Sequence, residues 1–108
     1  MQEREVQPTY DLKVNAAGQK MLYCSIEMRI GKGARSPWHG GDAVDRQIIG
    51  RLKMIVLGLR EVERVAVIHA GRRSLDFSVS LKTSRQTAAV IEKIDKVVSA
   101  FVAYHACH

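Results

Sequence analysis

Apolar and polar residues alternate from the first strong pattern onward. Tyr10, Leu12 and Val14 are separated by Asp11 and Lys13, the period-2 mark of a half-buried strand over 9–15. Turn chemistry follows in Asn15-Ala-Ala-Gly18-Gln. A second strand over 21–30 then places Leu22, Cys24, Ile26, Met28 and Ile30 on one face, with Tyr23, Ser25, Glu27 and Arg29 on the other. The short link between them predicts an antiparallel hairpin. Residues 31–41, with four glycines and a proline, read as an irregular loop. Asp42 reads as the N-cap of a helix, with Asp45 in its first turn. Its apolar stripe is Val44, Ile48, Leu52, Ile55 and Leu59, and Gly58 marks its end.

The second half repeats the plan. Val62–His69 is rich in β-formers, Ala70-Gly71-Arg72-Arg73 is a turn, and Leu75, Phe77, Val79 and Leu81 alternate with polar residues to 82. Thr83 with Gln86 forms a capping box before a helix from about Arg85 to Ala103. That helix carries Val90, Ile91, Ile94, Val97, Val98 and Phe101 on its apolar side.

The order β-β-α-β-β-α, with one apolar face per strand and one stripe per helix, predicts an α+β domain. It has a four-stranded antiparallel sheet with two helices on one face. A right-handed crossover between the second and third strands gives the spatial order 9–15, 21–30, 74–82, 63–69. This arrangement resembles a ferredoxin-like split βαβ sheet, circularly permuted so that its usual last strand comes first. Leu57–Val67 resembles the helix-to-strand joint of that fold. The resemblance is one of fold alone and implies no activity.

At 108 residues the chain is expected to form one domain, with 1–8 and 104–108 flexible. A hydrophobic content of 46% and a charged content of 26% exclude disordered, collagenous and coiled-coil classes. The net charge of +6 points to an anionic partner: nucleic acid, a nucleoprotein complex or an acidic protein surface. Two cysteines, Cys24 in an apolar run and Cys107 in the tail, form no disulfide framework and suit a reducing cytoplasm. No apolar run approaches the ~20 residues of a membrane span, and residues 1–8 lack the apolar core of a secretory signal. A cytoplasmic protein without membrane contact is therefore expected.

The predicted topology gathers loop 31–42, the Arg72-Arg73 turn and the tail at one end. Arg29, Lys32, Arg35, Trp38, His39, Arg72 and Arg73 fall there. Arginines fork onto phosphate oxygens, glycines let backbone N–H groups approach an anion, and an indole can stack on a base. A solvated loop with Trp38 packed over the sheet rim is the plainer alternative, and a lone Trp beside Arg also suits a protein hot spot. No Walker A or complete G-x-G-x-x-G motif is present. The open sheet face, with Tyr23 alone among aromatics, lacks the stacking set of an RNA-recognition sheet and suits solvent or a homodimer. His105-x-Cys107-His108 carries ligand types for zinc but lies at a terminus and matches no closed site, so no metal and no cofactor are expected. No nucleophile, base and orienting group fall together, so no enzyme is expected. The leading expectation is a non-enzymatic basic module acting on nucleic acid or a nucleoprotein complex. The alternative is a small inhibitor or adaptor, of the phage- or plasmid-borne anti-defence kind, that blocks a larger protein.

Overall fold

Each alternating segment forms a strand, and each keeps its apolar residues on the same side of one sheet. The computed structural model describes the backbone of residues 5–29, 36, 38–40, 43–82 and 86–106, and the side chains of these except 5–7, 28, 29, 40 and 106. In chain order the elements are β1 (Glu5–Val14), β2 (Lys20–Arg29), β3 (His39–Gly40), β4 (Ala43–Val44), α1 (Arg46–Leu57), β5 (Val62–Ala70), β6 (Ser74–Leu81) and α2 (Thr87–Ala106). The main sheet has the order β1-β2-β6-β5, antiparallel throughout, which is the order read from the sequence.

Pairing register explains the core. Tyr10, Cys24, Phe77 and Val67 form one row across the sheet, and Leu12, Leu22, Val79 and Val65 the next inward row. From these rows and the adjoining row of Pro8, Ile26, Leu75 and Ala70, the residues Leu22, Cys24, Ile26, Leu75, Phe77 and Val79 are buried against Leu52 and Val56 of α1 and Val90, Ile94, Val98, Phe101 and Val102 of α2. Each fully buried aliphatic or Phe side chain contributes about 1.5–3 kcal/mol of transfer free energy. The α1 helix lies over β5, α2 over β1, and the two helices touch. The outermost strand is less well covered: Val14 stays 60% exposed although it lies on the inward face. Pro8, which has no N–H to give a ladder, is tolerated on this edge strand.

Local details depart from the sequence reading in instructive ways. Asp45, not Asp42, caps α1, its carboxylate accepting from the backbone N–H groups of Gln47 and Ile48. β3, in the expected loop, pairs with β4, where the sequence predicts the first helical turn, and the helix starts at Arg46. Against the rest of the fold α1 buries Leu52 and Val56 and leaves Ile55 exposed. Gln86 has a φ of 49° and precedes α2, so it is not the helical member of a capping box; Thr83 lies outside the described residues. Residues 5–8 belong to β1, and 104–106 extend α2, where the His105 ring packs 4.4 Å from that of Phe101. The β1–β2 turn behaves as its composition predicts. Asn15 Oδ1 accepts from the N–H groups of Ala17 and Gln19, and Gly18 supplies the positive φ of 83°.

A side-chain hydrogen bond ties the sheet to α2. The Tyr10 hydroxyl donates to Asp95 Oδ1 at 2.8 Å, and burial followed by this bond raises its pKa. Burial alone pushes the Cys24 thiol up from 9.0 to about 12. In a Cys107→Ser background, the folded protein is expected to resist iodoacetamide at neutral pH and to alkylate only on unfolding. Rapid alkylation in the native state would contradict this packing. Because the fold holds the thiol protonated, the stability it contributes is complete below 9.0 and is lost as pH rises toward about 12.

Candidate functional site

The β5–β6 turn begins at Gly71, whose N–H donates to Ser74 O at 2.8 Å. Its next carbonyls are taken up by the segment ahead of α1. Trp38 Nε1 donates to Gly71 O at 2.9 Å, while Ser36 donates to Arg72 O through both its backbone N–H (2.9 Å) and its hydroxyl (2.6 Å). The His39 N–H then bonds Ser36 O, and the Asp45 N–H bonds Trp38 O. A short knot of chain thus plugs the end of the sheet between the turn and the first helix.

Electrostatically, this knot has a definite consequence. A backbone carbonyl left free on the turn would present its negative end to an approaching anion. With Gly71 O and Arg72 O both occupied by donors, the exposed guanidinium groups of Arg72 and Arg73 dominate the turn. Ser36, which directly follows Arg35 in sequence, is the residue held at the arginine turn.

Trp38 overturns the expectation placed on it. It is 0% exposed and belongs to the core, so it is available neither to stack on a base nor to serve as a surface hot spot. Its size and its single polar atom, satisfied by Gly71, are best accommodated inside. His39 lies half-buried opposite Val44, and its Nδ1 is buried without a hydrogen-bond partner among the described residues. Arg29 ends β2 in register with Glu5, an acid that the sequence reading did not place beside the cationic set. Lys32 and Arg35 lie outside the described residues. Ser36 was missed altogether. Its only sequence signal is a hydroxyl residue ahead of Pro37, a common turn pattern.

No protein-family model, curated protein or solved structure matches the chain. The site must therefore be argued from its own chemistry.

Among the described residues no group of three His, Cys, Asp or Glu side chains is placed to hold a metal; Cys107 and His108 lie outside them. Among the described residues no helix is long and apolar enough to cross a membrane. Outside the cationic end, two surfaces stand out. A groove between the helices is lined by Arg51, Ile55, Val97, Phe101, Tyr104 and His105. The open sheet face carries acids at the rows nearest the arginine turn, Asp76 beside Ser25 and Asp11 beside Tyr23. Those carboxylates repel phosphate, so the sheet face is a poor nucleic-acid platform.

Proposed function

We propose that this chain is a non-enzymatic module that binds nucleic acid, alone or in a nucleoprotein complex, through the end carrying Arg29, Lys32, Arg35, His39, Arg72 and Arg73. The observation that carries this reading is the pair of hydrogen bonds that Ser36 donates to Arg72 O, which fixes the residue after Arg35 at a cationic turn and occupies the competing carbonyl. The net charge of +6 agrees with it. The scaffold is read as a circularly permuted ferredoxin-like sheet, and the free buried thiol of Cys24 suits a reducing cytoplasm.

Reversing Arg72 and Arg73 to Glu is expected to weaken oligonucleotide binding about tenfold or more, measured by fluorescence anisotropy. Each lost phosphate contact also lowers the slope of log affinity against log salt by about one. The same reversal at Lys53 and Lys96, exposed on α1 and α2, serves as the control. Equal losses from both pairs would reduce the site to a diffuse field and end the proposal. Absence of oligonucleotide binding by the unmodified chain would also end it. The apolar groove between the helices, with Tyr104 64% exposed, favours a second reading as a small inhibitor or adaptor acting on a larger protein. Salt-insensitive binding to a protein partner is its signature.

A further inference from the structure

The open face of the sheet is divided by charge along the strand direction. Register sets its rows: Thr9, Ser25, Asp76 and His69; then Asp11, Tyr23, Ser78 and Ala66; then Lys13, Met21, Ser80 and Arg64. Lys82 directly follows the last residue of β6, beyond the Ser80 row. The acids Asp76 and Asp11 therefore lie on one side of a line between the Tyr23 and Met21 rows, and the bases Lys13, Arg64 and Lys82 on the other. Along the middle of the face run Ser78 and Ser80, each only 8% exposed, so a flat strip of small side chains lies between Tyr23 on β2 and Ile68 on β5.

We propose that this face is a self-complementary interface that takes a second copy of the chain. A twofold axis running across the strands, between the Tyr23 and Met21 rows, lays each strand antiparallel over its own copy. Asp11 then meets the second copy's Lys13, Asp76 meets its Lys82, Tyr23 meets its Met21 and Ser78 meets its Ser80. Every contact occurs twice, as an isologous interface requires. The small serines let the sheets approach to the ~10 Å spacing of stacked sheets. A twofold axis along the strands would instead lay the Asp76 and Asp11 rows over themselves, Asp11 against Ala66 and Asp76 against Ser25, and leave both acids without a base. The internal pair Lys13–Asp11 spans 3.6 Å between largely exposed groups, so both remain free to exchange partners.

Area and edges favour this occupant. Four strands at about 4.8 Å spacing and eight residues of β6 at about 3.3 Å give a flat footprint of roughly 500 Å² per copy, or about 1,000 Å² for the pair. That meets the lower bound for a specific interface. Pairing through the sheet edges is discouraged by Pro8 on β1 and by two register shifts on β5. The surface is distinct from the cationic end, and the proposal does not rest on the nucleic-acid reading.

Light scattering coupled to size exclusion, run without nucleic acid, tests it. The unmodified chain is expected to elute at twice its chain mass. Asp11→Lys with Asp76→Lys makes the face uniformly basic, and Lys13→Glu with Lys82→Glu makes its facing rows acidic. Each double variant alone is expected to run as a monomer, its dimer dissociation constant raised roughly a hundredfold. Mixed one to one, the two variants restore complementary charge in both halves of the interface, and the dimer mass returns. A monomeric unmodified chain at high concentration would overturn the proposal. So would dimers of either variant alone, or a mixture that stays monomeric while both variants keep the native circular-dichroism spectrum.

Discussion

Trp38→Ala is expected to lower stability by about 3–5 kcal/mol in urea or guanidinium unfolding. Trp38 heads the set of largest fully buried side chains, and removing it opens a cavity and breaks one of the hydrogen bonds that join the pre-helical segment to the β5–β6 turn. Trp38→Phe keeps most of the volume but gives up the bond to Gly71 O, so it should cost less, the lost hydrogen bond accounting for about 0.5–1.5 kcal/mol. The ordering of the two variants is the diagnostic result. As the sole tryptophan, Trp38 also reports directly: its native fluorescence should be blue-shifted, shielded from acrylamide and red-shifted on unfolding. A near-neutral Trp38→Ala variant, or full acrylamide quenching of the native protein, would return the residue to the surface and reopen its role in binding.

Ile26→Asp and Phe77→Asp should each abolish cooperative folding. Ile26 is paired between Pro8 and Leu75, Phe77 between Cys24 and Val67, and both point into the layer covered by the helices. A lone carboxylate there costs several kcal/mol, comparable to the ~5–15 kcal/mol that holds an ordinary domain together. The matching control is Tyr23→Asp, three residues from Ile26 in β2 but on the opposite face. It should shift unfolding by about 1 kcal/mol, the range of strand propensity itself. Loss of the thermal transition and of amide dispersion in the first two variants, with both kept in the third, is the expected outcome. A well-folded Ile26→Asp protein would mean that the two faces of the sheet have been exchanged.

That contrast shows what was legible in the sequence. A strand's side chains have a period of two, so Leu22, Cys24 and Ile26 on one side and Tyr23 and Ser25 on the other declare both the strand and its facing. The same holds for Leu75, Phe77, Val79 and Leu81, and for the α2 stripe of Val90, Ile94, Val98 and Phe101. Short links and the handedness of the crossover then left one strand order, the one observed. Periodicity weakens where a segment is short or its frame is set elsewhere. On α1 adjacent apolar residues, Ile55 and Val56, both lie near the apolar stripe, and the rotation of the helix against β5 and α2 decided that Val56 is the buried one.

The sequence by itself determined the elements, the sheet order, the apolar faces and the excess of positive charge. All of these follow from residue type and spacing along one chain. Only the tertiary structure decided that Trp38 is core, that Ser36 clamps Arg72, that Arg29 stands in register with Glu5, and that the open face divides into acidic and basic halves. These are relations between segments far apart in sequence. A lone tryptophan or serine in an aperiodic loop has no neighbours at i+2 or i+4 to reveal its environment. The partner that satisfies it, Gly71 or Arg72, comes from a turn more than thirty residues away.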